Sequence, residues 1–419
     1  MTRLADWTAP VSAHRSVGPH RARRVGATVL VAGPSGRVAR LSVDDYDRFL
    51  RGLPPADALR ARLAPLGVLA DAFDADALAR ELVETGLLNW RGPATHLLFV
   101  SRRGATMTPE TAKDCVDLAF ATPRPALTLE LATDDAAAAG ATLRFAARYA
   151  EKKAEWSRRG LTLVARVRGD AGGALAGFLS ERGVALRVEL DADGAPSPSA
   201  LRPCARALVR VGPGARDPEA WVDLLAARGV GSVLFAPTAR TAAHARRFVA
   251  FYAAALGRLL ERWEDGPNDE WAAALLGGRA AERPGVDLLE TLAYAPDGGV
   301  YSSEDGLALA EAGDATYALG PAARLRFEEL AKAPLVRLIA AGSWRDVQPL
   351  CGDCAYRLLC TVPPSVHQIE QGSPWGRLPD SPRCIVHMGV LDALFSSWDA
   401  EKRLPALEKW GVDTARYSC

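Results

Sequence analysis

The chain has 419 residues and a mass of 44.6 kDa, enough for two or three domains with a sizeable core. Hydrophobic residues make up 49% and charged residues 24%, which excludes wholesale disorder. Lys+Arg is 51 against Asp+Glu 50, so a net charge of +1 gives no bulk attraction to nucleic acid or anionic lipid. No run of about 20 uncharged apolar residues crosses a bilayer. The first residues also lack an apolar segment ending in a small-residue cleavage site. A soluble cytoplasmic protein is expected.

In chain order, residues 1–22 are rich in Pro, Arg and His without period and are expected to be a flexible arm. Residues 23–92 are expected to form a small α+β domain of winged-helix-like outline. Thr28–Ala32 and Arg37–Leu41 alternate around the turn Gly33-Pro34-Ser35-Gly36, which predicts a β-hairpin. Ser42 is placed to cap a helix running to Leu50, with further helices at Pro55–Leu63 and Asp74–Leu87.

Between 93 and 284, six strand candidates alternate with five helix candidates. The strands are His96–Val100, Ala126–Leu131, Leu161–Arg166, Ala185–Leu190, Ala207–Val211 and Ser232–Ala236. The helices are Pro109–Ala121, Asp134–Lys153, Gly173–Arg182, Asp217–Arg228 and Ala239–Trp263. This alternation predicts parallel pairing in an α/β barrel or an open sheet. Residues 285–419 begin with a hairpin over Thr291–Ala295 and Val300–Ser302, then a helix over Glu304–Ala312. Helical segments over Arg324–Ala341 follow, and a helix over Gly389–Trp398 closes the region.

Four of the seven cysteines lie within 34 residues, spaced Cys351-x2-Cys354-x5-Cys360-x23-Cys384. A short loop of thiolates closed by a later cysteine presents four sulfurs, as zinc or a four-iron cluster requires. Spacing leaves the metal open. His367 and His387 flank the set and could complete a Cys3His zinc site, although a histidine in either place is more often a core residue. Cys115 and Cys204 fall in predicted elements and are read as small buried hydrophobes, and Cys419 as a free thiol. The pairs Arg158-Arg159 and Arg246-Arg247 are read as solvated charges. There is no phosphate-binding loop, nucleophile elbow or His-Glu-x-x-His motif.

The run Cys351–Cys360 (CGDCAYRLLC), Gln371-Gly372, and Arg383-Cys384 followed by Met388-Gly389-Val390-Leu391-Asp392 resemble the auxiliary-cluster (SPASM) domain of radical SAM peptide maturases. Gly299–Glu304 and Ala312–Gly320 are similar to the segment preceding that domain. Thr95–Val100, Met107–Ala112 and Phe251-Tyr252 extend the likeness, with the maturases of the His-Xaa-Ser peptide system as the nearest match. The resemblance implies an α/β fold with a partial (β/α) barrel of radical SAM type. It also implies a small peptide-recognition-like domain before the barrel, and after it a Cys-rich domain holding a 4Fe-4S cluster or zinc on Cys351, Cys354, Cys360 and Cys384.

The departures concern the reaction. The family carries Cys-x3-Cys-x2-Cys on the loop after its first barrel strand, and here Ser101–Thr106 contains no cysteine. A three-cysteine cluster cannot be built there. The Gly-Gly-Glu-Pro-like stretch of the family is replaced by Glu130–Ala136, with Asp135 near the former Glu position. Val188–Asp191 and Phe235-Ala236-Pro237 also depart from the family's strand ends, and Pro363 stands where a further auxiliary cysteine is usual. The implied protein is a degenerate radical SAM-like pseudoenzyme of ribosomal peptide maturation. No S-adenosylmethionine is expected as cofactor, and its partners would be a precursor peptide and a catalytic radical SAM subunit. The alternative is a metal-dependent peptide-modifying enzyme. It would use the C-terminal centre, or carboxylates at strand ends in the barrel mouth (Glu130, Asp135, Glu189, Asp191).

Overall fold

A computed structural model describes residues 16–34, 36–52, 57–76, 92–168, 173–193, 205–276, 290–342, 348, 350–360, 363–397, 400–412 and 417–418. The chain opens with strands β1 (Arg21–Val25), β2 (Thr28–Ala32) and β3 (Val38–Ser42), an antiparallel meander. Two helices follow, α1 (Val43–Leu50) and α2 (Asp57–Leu63). The expected hairpin and the Ser42 cap are both present, and Ser42 Oγ accepts from the Asp45 backbone N–H at 3.0 Å. The expected arm ends sooner than composition suggests. Val17 bridges Leu69 and Arg21 already lies in β1, while residues 1–15 lie outside the described residues. So does most of the helix expected over Asp74–Leu87.

The large sheet is built by β4 (Thr95–Arg102), β5 (Ala105–Thr106), α3 (Pro109–Ala121), β6 (Ala126–Thr133), α4 (Ala136–Ser157), β7 (Gly160–Arg168), α5 (Gly173–Glu181) and β8 (Ala185–Asp191). It continues through β9 (Arg206–Val211), α6 (Pro218–Ala227), β10 (Ser232–Pro237), α7 (Ala242–Glu261), β11 (Asn268–Asp269) and α8 (Glu270–Leu276). Then come β12 (Thr291–Tyr294), β13 (Gly299–Tyr301), α9 (Glu304–Glu311) and β14 (Ala318–Pro321). The eleven strands run in the order β11-β10-β9-β8-β7-β6-β4-β12-β13-β14, with β5 folded back on β4. From β11 to β12 the pairing is parallel throughout. The fold is thus α/β, as the alternation of strands and helices predicts, and it agrees with the partial barrel that the resemblance implies. Residues 291–321 hydrogen-bond into this sheet, since β12 pairs with β4 and carries β13 and β14 beyond it.

The remaining described elements are α10 (Phe327–Lys332), α11 (Pro334–Gly342), α12 (Pro364–Gln371), α13 (Pro382–Ser396), α14 (Ala400–Lys409) and β15 (Tyr417–Ser418). Helix α13 lies against α7, and Gly389 allows their close approach. A Cβ there would stand 2.4 Å from a methyl of Val249. One core runs through three regions: Val25, Leu30 and Val38 of the small sheet join Phe235, Phe251 and Leu256 of the barrel and Cys354, Tyr356 and Leu391 of the Cys-rich part. The other face of the small sheet (Val29, Val31, Leu41) packs on its own Tyr46, Phe49 and Leu63.

Candidate functional site: barrel mouth and cysteine loop

Two places have the chemistry to act, and they are built in opposite ways. At the barrel mouth, β4 turns directly into β5 through Arg103 (φ 53°) and Gly104 (φ 80°), with Ser101 opposite Thr106 and Arg102 opposite Ala105. Positive φ at both central residues is the two-residue hairpin turn whose twist matches the strands. Asp134 secures it, accepting from Ser101 Oγ at 2.8 Å and from the Arg103 backbone N–H at 2.6 Å.

Behind this hairpin the inner face of the sheet carries charge in the middle of its strands. Arg166 of β7 is buried and reaches Glu304 at 2.9 Å, Glu130 at 3.4 Å and Glu189 at 4.0 Å. Arg187 bridges Glu130 (3.2 Å) and Glu270 (3.1 Å). Arg210 is paired closely with Glu189 and lies 3.7 Å from Glu304. Arg102 reaches Glu311 at 2.6 Å and Glu304 at 3.8 Å, with its guanidinium 4.5 Å from the Phe99 ring centroid. Glu304 enters from the first turn of α9, whose Leu307 packs on Leu97, Phe99 and Ala132 of the same sheet.

Burial pushes the Glu304 carboxyl up, but Arg166, Arg210 and Arg102 pull harder and hold it below its ordinary range. Burial likewise pulls Arg166 down, and Glu304, Glu130 and Glu189 outweigh it. Buried charges persist only when paired in this way. The four carboxylates considered as acids, bases or ligands therefore have partners. Glu130 and Glu189 belong to the ion-pair network. Asp135 caps α4, accepting from the Ala137 and Ala138 backbone N–H at 3.0 Å, and Asp191 accepts from the Asp193 backbone N–H at 3.0 Å.

The cysteine loop is built from tight turns and the start of one helix. The chain enters through Leu350 at φ 66°, a left-handed conformation that costs an L residue about 1 kcal/mol or more. Short turns then bring the Cys354 N–H to the Cys351 carbonyl (3.2 Å) and the Cys360 N–H to the Tyr356 carbonyl (2.8 Å). Helix α13 supplies Cys384 from its first turn, after the cap at Ser381. Burial, then the Cys354 and Cys351 sulfurs, push the Cys384 thiol up to about 12. Burial also raises the Cys354 thiol.

The fourth sulfur, that of Cys360, lies 3.3 Å from His387 Nδ1. Arg383 Nε donates to His387 Nε2 at 3.2 Å, which leaves the ring proton on Nδ1 and directs it to the sulfur. His387 is thus a buried hydrogen-bond donor to a thiol, and burial holds it strongly neutral. His367 is also buried, and neither of its ring nitrogens has a hydrogen-bond partner. Cys384 Sγ lies 3.6 Å from Met388 Sδ. Among the described residues no three His, Cys, Asp or Glu side chains converge as a metal ion requires. The sulfur of Cys360 is turned to His387 and that of Cys384 to Met388. Cys115 is buried in α3 as expected, and burial pushes its thiol up to about 12; Cys204 and Cys419 lie outside the described residues.

Residues that spacing did not single out tie this loop to the small domain. Arg23 makes a two-pronged ion pair with Asp392 (2.8 and 2.7 Å), Tyr356 OH donates to Asp392 at 2.7 Å, and Arg21 Nε donates to the Gly352 carbonyl at 2.6 Å. The arginines of the mouth were missed as well. Their signal is a charge in the middle of an otherwise apolar strand, as in LVARVR of β7.

No protein-family model matches the chain, and no curated protein matches it in sequence. In fold it is similar to native anSMEcpe with bound AdoMet, at TM-score 0.56 and 12% identity over 73% of this chain and 97% of that one. It is also similar to native anSMEcpe with bound AdoMet and Cp18Cys peptide (TM-score 0.54) and with Kp18Cys peptide (TM-score 0.55). Both are 12% identical and cover the same shares. No helix among the described residues is long and apolar enough to cross a membrane.

Proposed function

We propose that this chain is a degenerate radical SAM-like protein of a ribosomal peptide modification pathway. It binds a precursor peptide, a catalytic radical SAM partner subunit, or both, and does not cleave S-adenosylmethionine. One observation carries this reading. Where the resemblance places three cluster cysteines, the chain has a two-residue turn between β4 and β5, backed by an ion-pair network across the inner face. The similarity in fold to proteins held with AdoMet and a peptide supports peptide as the ligand class.

Cys351, Cys354, Cys360 and Cys384 would hold one zinc or one four-iron cluster. Zinc would act there as a structural clip and a cluster as a redox centre. The chain's own contribution is to bury Cys354 and to direct the His387 Nδ1 proton at Cys360. The small domain would capture the peptide along an edge of its sheet by strand addition.

The test is to purify the protein anaerobically and incubate it with S-adenosylmethionine and dithionite. No 5′-deoxyadenosine above the blank is expected, and its formation overturns the reading. Metal and sulfide in the same sample should give about four irons with four sulfides, or about one zinc.

A further inference from the structure

At the end of the sheet away from the mouth, the pair Arg158-Arg159 is not two solvated charges. Arg158 is exposed, at φ 53° after the last turn of α4, while Arg159, just before β7, is half-buried. Arg159 Nη1 donates at 2.7 Å to the Phe120 carbonyl in the last turn of α3, and its guanidinium carbon lies 5.5 Å from the Phe120 ring centroid. Its Nε and Nη2 are buried and have no hydrogen-bond partner.

Those two nitrogens form one side of the guanidinium, the side that takes a carboxylate or phosphate with two parallel hydrogen bonds. At Arg23, Arg102 and Arg258 the same side is filled, by Asp392, Glu311 and Asp223. At Arg159 it is empty. Burial lowers the pKa of Arg159 and no acid offsets it, whereas at Arg23 burial is outweighed by Asp392.

Arg159 also lines a cleft of about 540 Å³ between the end of α4 and the starts of β7 and β8. Leu161 and Leu163 give the cleft an apolar wall. Arg182 there is paired with Glu151, and Arg158 and Glu155 stand exposed at its rim. A cationic fork without an acid thus meets an open space with an apolar side.

We propose that this cleft binds a small organic acid or phosphate ester through the fork of Arg159. The shared chemistry is an oxyanion that presents two oxygens side by side. Rotation about the outer bonds of the arginine side chain turns its empty edge to the cleft. Two ligand oxygens then accept from Nε and Nη2, and the ligand's apolar body rests on Leu161 and Leu163. The α/β barrels carry their reactions at the opposite end, so this is a binding site and not a second active site. It stands or falls independently of S-adenosylmethionine cleavage.

The test is calorimetric titration of sodium benzoate and of sodium phosphate into the full-length protein at neutral pH, with sodium chloride holding the ionic strength constant. Saturable one-to-one binding of at least one anion is expected, and the tighter of the two tells a carboxylate ligand from a phosphate one. Arg159→Lys keeps the charge but loses the fork and should weaken binding about tenfold or more. Ala154→Trp fills the cleft from α4 without touching the arginine and should abolish binding. Arg246→Gln, on the exposed side of α7, should leave the affinity unchanged. Urea unfolding midpoints report that each variant is folded. Absence of saturable binding of both anions overturns the proposal, and so does unchanged affinity in Arg159→Lys or in Ala154→Trp. Either result would mean that a buried water, not a ligand, fills the empty edge.

Discussion

The barrel mouth and the cysteine loop pack on different apolar clusters, and they satisfy their polar groups in different ways. At the mouth Glu130, Glu189 and Glu304 each meet an arginine, and Arg166, Arg187 and Arg210 each meet more than one carboxylate. In the loop burial, then Cys354 and Cys351, raise the Cys384 thiol, and burial raises Cys354, with Arg23 pulling both down by less. A closed network has nothing left to offer a ligand. A gathered set of like donors is stable in charged form only when a positive centre joins it.

The comparison breaks most visibly at Arg166. Arg166→Ala leaves Glu130, Glu189 and Glu304 facing each other in a buried site and should cost about 3–5 kcal/mol in urea unfolding. The metal content should be unchanged. Cys384→Ala should do the reverse, abolishing bound metal in elemental analysis while the mouth stays paired. A second variant tests the joint between the regions. Gly389→Ala puts a methyl into Val249 and should cost about 1–3 kcal/mol, largely restored by Val249→Ala.

A smaller effect sharpens the electrostatic side. Glu304 has its folded pKa below the ordinary 4.5, so its contribution is present above that value and is lost as pH falls through the lower one. With its side chain one-third exposed, Glu304→Gln should lower stability at neutral pH by roughly 1 kcal/mol and flatten the acid limb of the stability curve. Asp305, its neighbour, has the opposite sign. Burial raises its pKa, so its contribution is present below the ordinary value and fades as pH rises through the folded one. The smallest effect lies in the turn itself. Gly104→Ala meets no atom within 4 Å and should cost only about 1 kcal/mol, for its positive φ.

Much of this architecture was legible because it is periodic. The apolar runs of β4, β6 and β7 and the amphipathic helices between them appear in the composition of each segment. Strand β1 was not legible, because RARRV looks like solvated charge. Arg23 is buried only through an acid 369 residues away, and no local pattern reports such a partner. The mouth network escaped for the same reason, since each arginine is explained only by carboxylates on other strands. The cysteines were located by spacing alone, but whether four sulfurs point inward depends on χ angles that spacing does not set.

The small sheet has a consequence for how the protein is cut and used. With Val29 and Val31 turned to its own helices and Leu30 and Val38 turned to the barrel and the cysteine loop, it is a partition wall rather than a detachable module. Excised at residue 92, it would bare one apolar face and lose the Arg23–Asp392 and Arg21–Gly352 fasteners together. Whatever docks on its edge pushes against a wall whose far side is the cysteine loop.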